Sequence, residues 1–178
     1  MSPAPTSGNL LVAITFGSGG FSLGSGWTRL EYNNSGSYYC QVAYKVAGGG
    51  ESTTQTPATA GGSTTFANGI WEINGQNSTP GTAIKAVEAR YIANNSLMAY
   101  TPMLPQITST LFLAGISASG ATNAFTRTFG AVEDVNITGG SGLKPAYGHC
   151  LSSALYYMMA GYFGSDSETL AAWTIITA

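Results

Sequence analysis

The single histidine, His149, stands beside Cys150, and nucleophilic chemistry would be sought there first. A Cys–His pair works only when thiol and imidazole converge from positions adjacent in space. Here the two open an expected strand, on which sequence neighbours point to opposite faces, so the spacing argues against catalysis. One histidine and two separated cysteines, Cys40 and Cys150, also fall short of the spaced ligand sets that zinc takes. The eight carboxylates contain two close sets, Glu133-Asp134 and Asp166 with Glu168. Either could lend oxygens to calcium, but EF-hand spacing is absent and solvated loop charges are the expectation. A glycosidase needs two acids facing one another across a cleft, and nothing singles out such a pair. Gly17-Ser18-Gly19-Gly20 and Gly48-Gly49-Gly50 lack the Lys-Ser/Thr that follows a phosphate loop and read as turns. The sequence therefore predicts no catalytic residue, no cofactor and no metal.

Aromatic side chains are the other candidates for contact chemistry. Trp27 (in Gly26-Trp27-Thr28), Tyr32, Tyr147 and Tyr162 are the loop aromatics that could meet a ligand or partner, stacking on a sugar for example. For Trp27 the preferred reading is a ring that caps the core, since so large a side chain dominates the burial of a small β domain. Four Asn-x-Ser/Thr sequons start at Asn33, Asn77, Asn94 and Asn136 and read as chance in a chain rich in these residues. Cys40 and Cys150 read as reduced, buried thiols, and a bridge between them would need the fold to bring them together.

Composition narrows the class. Charged residues are 8% of the chain against roughly 25% in an average soluble domain. Hydroxyls, amides and 24 glycines must keep the surface wet, and such residues favour turns and strand faces over helices. A surface so poor in charge loses little hydration when another protein covers it. The formal charge of −2, with no basic run, predicts no nucleic-acid partner. No apolar run reaches about 18 residues, so no membrane-spanning helix is expected. Leu10 to Phe16 has no Lys or Arg before it and reads as a strand, not as a signal peptide.

The elements that would position these residues are strands. Leu10, Val12, Ile14 and Phe16 alternate with Leu11, Ala13 and Thr15. Tyr38, Cys40, Val42, Tyr44 and Val46 alternate with Tyr39, Gln41, Ala43 and Lys45, and Ala67, Gly69, Trp71 and Ile73 with Phe66, Asn68, Ile70 and Glu72. The second half echoes the first: 110–117 resembles 9–16, 154–160 resembles 41–47, and 170–177 resembles 66–73. Two such halves, 9–75 and 109–178, predict one all-β domain over 9–178, a jelly-roll-like two-sheet sandwich of about eight strands. Residues 1–8 are expected to be an extended arm. Thr82 to Met98 stays open between a short helix, from the spacing of Ala83, Val87 and Tyr91, and a strand leading to a linker marked by Pro102 and Pro105.

The succession Gly8-Asn9-Leu10-Leu11-Val12-Ala13, Gly26-Trp27-Thr28-Arg29-Leu30, Ala43-Tyr44-Lys45-Val46-Ala47 with Gly48-Gly49-Gly50-Glu51, and Ala67-Asn68-Gly69-Ile70-Trp71-Glu72-Ile73 resembles a pattern of tailed-bacteriophage virion proteins. The closing Ala171-Ala172-Trp173-Thr174-Ile175-Ile176 is similar to that family's last strand, while 123–147 matches nothing in it. The resemblance implies a jelly-roll-like sandwich serving as a capsid decoration protein or a tail-associated module, without catalytic residues. The first expectation is a non-enzymatic cement protein on the virion's capsid surface. It would bind the outside of the capsid lattice through the major capsid protein, copies of itself in a homo-oligomer, or both. The alternative is a tail fibre or receptor-binding module recognising a host-surface glycan through its loop aromatics.

Overall fold

The computed structural model describes residues 3–61, 65–75, 79–93, 97–100, 110–119, 123–127, 132–136, 143–152, 159–163 and 168–177. In chain order the elements are β1 (Leu10–Ser18), β2 (Phe21–Leu23), β3 (Thr28–Asn34), β4 (Tyr38–Val46), β5 (Ala58–Ala60), β6 (Thr65–Ile73), α1 (Pro80–Ala83), β7 (Ile84–Ala93), β8 (Leu97–Tyr100), β9 (Thr110–Ser119), β10 (Asn123–Arg127), β11 (Val132–Asn136), β12 (Leu143–Ser152), β13 (Met159–Phe163) and β14 (Glu168–Thr177). The protein is an all-β, two-sheet sandwich. No helix among the described residues is long and apolar enough to cross a membrane.

One main sheet, β3-β4-β1-β6, is drawn from the first half of the chain, and the other, β11-β12-β9-β14-β7, from the second half with β7 of the intervening segment added at its edge. Two small sheets, β2-β5 and β10-β13-β8, complete the strand set. The halves share one plan: β1 lies between β4 and β6 as β9 lies between β12 and β14, β3 flanks β4 as β11 flanks β12, and β2 pairs with β5 as β10 pairs with β13. Both central strands are paired along their whole length on both sides, Leu10 facing Val46 and Ile73, and Thr110 facing Ser152 and Thr177. The counterpart of β4 is therefore β12. The match of 41–47 to 154–160 is corrected, because it rested on local composition whereas strand equivalence is set by pairing; most of 154–160 lies outside the described residues.

Alternation places the core. Leu10, Val12, Ile14 and Phe16 of β1 and Cys40 and Val42 of β4 pack in one buried cluster with Leu113, Tyr147, Leu170, Ala172 and Ile176 of the facing sheet. Burying these side chains contributes roughly 1.5–3 kcal/mol for each large aliphatic or aromatic one. The opposite face of β1 is covered too: Leu11 and Ala13 join Ala43, Ala47 and Trp27 in a second cluster, with Leu23 of β2 and Ile70 of β6 against it. β4 likewise has both faces buried at its centre, while Val46, its last residue, is 40% exposed.

The open segment 82–98 forms the single turn α1, then the strand β7, with β8 beginning at Leu97. The spacing of four between Val87 and Tyr91 suits one face of a strand as well as a helix, and both pack on the core. At the start of β7 the register shifts: Ile175 faces Ala86 and Ile176 faces Ile84, so Lys85 is an extra residue. Such a bulge breaks the period of two. Of the segment 1–8, expected to be an extended arm, residues 3–8 are described, and its later residues are held against the sandwich. Thr6 N–H and the Asn9 amide both donate to Glu72 Oε1 at 2.7 Å, Gly8 N–H donates to the Ala47 carbonyl at 2.8 Å, and Pro5 is buried. Pairing the carboxylate with two donors satisfies both ends of the contact and holds Glu72 below the usual carboxylate range.

Candidate functional site

Chemistry-bearing residues converge at the side of the sandwich where β6 meets β11 and β12. A register shift between Glu133 and Val135 in β11 sets Asp134 apart from the ladder. Its carboxylate meets His149 Nδ1, from β12, at 2.8 and 2.9 Å, and accepts a hydrogen bond from Trp71 Nε1, from β6, at 2.8 Å. Asp134 and His149 side chains are 28% and 31% exposed, so the cluster sits at the rim of the core and joins the two main sheets. A carboxylate on Nδ1 fixes the ring and directs Nε2 away from it, which is the orienting half of an acid–base arrangement. The same carboxylate is shared with an indole that belongs to the core of the other sheet, which makes it a cross-sheet clasp. Among the described residues no hydroxyl or thiol is hydrogen-bonded to His149, and no group of three His, Cys, Asp or Glu is placed to hold a metal ion.

The sequence set His149 beside Cys150 and Glu133 beside Asp134, and missed the contact that forms, 15 positions apart in one case and 63 in the other. The side chains of Cys150, Glu133 and Glu168, and all of Asp166, lie outside the described residues. Cys40 is a buried thiol whose Sγ donates to the Arg90 carbonyl at 3.7 Å. Burial pushes that thiol up to about 12, against the downward pull of backbone hydrogen bonds at Asn33 and Arg90.

The four aromatics fare differently. Trp27 is buried in the cluster under β2, with Lys45 Nζ 5.9 Å from the ring centroid. Tyr147 is not on a loop; it lies in β12, is 2% exposed and belongs to the shared core. Trp27 thus takes the core place preferred for it from the sequence, while Tyr147 as a surface platform is corrected, because its large ring fills a space in the interior. Tyr162 falls in β13 and its side chain lies outside the described residues. Tyr32 is half-buried in β3 and belongs to an aromatic group that the sequence did not reveal. Tyr39 lies 6.0 Å from it, Phe21 6.2 Å from both, and Phe66 6.4 Å from Phe21. Pairing explains this grouping, because Gly17 of β1 faces both Tyr39 and Phe66, and the Phe21 ring lies over it. Arg29 sits 4.5 Å above the Tyr32 ring while its Nε donates to Gln41 Oε1 at 2.9 Å.

A third polar group closes the loop after β4. Glu51 accepts from Lys45 Nζ at 2.8 Å, from Gly48 N–H at 3.2 Å and from the Gln55 amide at 3.3 Å. These donors, Lys45 first, hold its carboxyl down to about 2. No protein-family model, no curated protein and no solved structure matches this chain.

Proposed function

We propose that this chain is a non-enzymatic structural protein of a tailed-phage virion, a decoration protein that cements the outside of the capsid lattice. It would bind the major capsid protein, copies of itself, or both. The observation that carries this reading is where the few charges go. Lys45 is spent on Glu51, Arg90 on Glu88, Arg29 on Gln41 and Tyr32, Glu72 on the N-terminal segment, and Asp134 on His149 and Trp71. Glu31 accepts from the Tyr32 N–H at 3.1 Å, and among the described residues Lys85 is the one charged side chain without such a contact. An exterior of hydroxyls and amides on which most charged side chains of the described residues are already paired is inexpensive to cover, and the cores of stable interfaces are depleted in charge. The sequence resemblance supplies the setting. Apolar burial between capsomers contributes roughly 25 cal/mol per Å² before ordering is subtracted, multiplied over many copies.

The test is co-sedimentation with capsids lacking the protein, followed by heating. Decorated shells should survive a higher temperature than bare ones; absence of binding, or unchanged shells, would remove the cement role. The aromatic group around Tyr32 favours a second reading, recognition of a surface glycan, since half-buried tyrosines beside an arginine suit sugar faces and hydroxyls. A saccharide titration of the protein and of Tyr32→Ala separates the two.

A further inference from the structure

The chain contains two Asn-Gly pairs, Asn68-Gly69 and Asn74-Gly75, and the fold treats them in opposite ways. In an Asn-Gly pair the glycine nitrogen can attack the asparagine side-chain carbonyl, because no Cβ shields it and the glycine backbone reaches the required geometry freely. Asn68 cannot do this while folded. It is held in β6, with Asn68 facing Thr15 and Gly69 facing Ile14, its Oδ1 accepts from Thr15 Oγ1 at 2.7 Å, and the Tyr147 ring lies against Gly69. Asn74 and Gly75 lie beyond the last β6 pair, Ile73 with Leu10, and both are exposed. Neither takes part in a hydrogen bond among the described residues, Gly75 has φ of 73°, and a Cβ built on it would meet nothing within 4 Å.

We infer that Asn74 is a site of spontaneous covalent modification, at which the chain turns into isoaspartate and aspartate through a cyclic imide closed by Gly75. The Gly75 amide nitrogen bonds to Asn74 Cγ and loses its proton to solvent. The side-chain nitrogen leaves as ammonia. Water then adds to one of the two imide carbonyls: opening at the backbone carbonyl gives isoaspartate, and opening at the side-chain carbonyl gives aspartate. No oxidant, reductant or enzyme is needed. Each event adds one negative charge to a chain of formal charge −2. It places that charge two residues from Glu72, the carboxylate that holds Thr6 and Asn9. The isoaspartate product also lengthens the backbone by one methylene where β6 ends.

The experiment incubates the full folded chain in mildly alkaline buffer and follows charge variants by ion exchange and their position by tandem mass spectrometry. The expected result is a growing acidic species whose mass gain maps to Asn74, isoaspartate exceeding aspartate, with Asn68 intact. In denaturant Asn68 should convert as well. Gly75→Ala should slow conversion at Asn74 by about an order of magnitude by shielding the nitrogen, and Asn74→Ser should abolish the species while leaving the β circular dichroism unchanged. Conversion of Asn68 ahead of Asn74 in the folded chain, aspartate without isoaspartate, or an acidic species that persists in Asn74→Ser would overturn the inference.

Discussion

The Tyr147 hydroxyl donates to the Ala67 carbonyl at 2.9 Å, joining β12 of one main sheet to the edge strand β6 of the other across 80 positions of sequence. Its ring stacks on Phe16, centroids 5.8 Å apart, and meets Trp71 edge-on at 6.1 Å. Room for the ring comes from two glycines: a Cβ on Gly69 would stand 2.6 Å from it and one on Gly115 2.8 Å. Burial raises the phenol well above its ordinary range, so the hydroxyl remains a donor. The bond also occupies a carbonyl on an edge strand, which blunts that edge against pairing with another chain.

Tyr147→Phe should therefore destabilise the protein by about 1 kcal/mol, the net value of one buried hydrogen bond. Tyr147→Ala should cost about 3–5 kcal/mol, as loss of a large buried aromatic does. Gly69→Ala forces overpacking and should cost about 1–3 kcal/mol. Urea unfolding followed by fluorescence checks the order; a Tyr147→Phe variant that loses as much as Tyr147→Ala would show that the hydroxyl, not the ring, dominates.

Val12 and Leu113 are both fully buried in the shared cluster, on strands from different halves of the chain. Val12→Asp and Leu113→Asp should each prevent folding by burying an unpaired charge. Leu113→Ala should cost about 2–5 kcal/mol and Val12→Ala somewhat less, and each should shift one cooperative transition. Two transitions, only one of them moved by each variant, would mean that the halves unfold separately.

Glu51 has its carboxyl lowered from 4.5 to about 2, and Glu72 is lowered in the same direction. A depressed carboxylate stabilises the fold fully above its unfolded value, and that contribution fades as pH falls from about 4.5 toward 2. Hydrogen-exchange protection over 47–57, taken relative to the intrinsic amide rate at each pH, should fall through this window in the native chain. In Glu51→Gln that protection should already be lower at neutral pH and nearly insensitive to acid across it.

Cys40 shows the opposite sign. Its thiol is raised from 9.0 to about 12, so the folded state favours the neutral form. That contribution is complete below about 9 and is lost as pH climbs toward 12. Alkylation mapped by mass spectrometry should leave Cys40 unmodified in folded protein at mildly alkaline pH and modify it readily in urea. Rapid labelling of the folded chain would contradict its place in the core.

Local alternation was enough to fix the faces of β1, the centre of β4 and much of β6, because side chains of an extended chain alternate whatever the strand's neighbours. The scarcity of charge and the abundance of glycine and hydroxyl residues were likewise enough to point to strands. Where a spacing of four suits a helix and a strand alike, as at Val87 and Tyr91, the sequence left the two open, and pairing with β14 decided between them. Local composition could not say that Tyr147 is a core residue, since its hollow is made by Gly69 and Gly115, nor that Asp134 finds His149 and Trp71. Those contacts depend on strand register between segments far apart in the chain, and register is a property of the assembled sheets. One residue of slip would send each of these side chains to the other face.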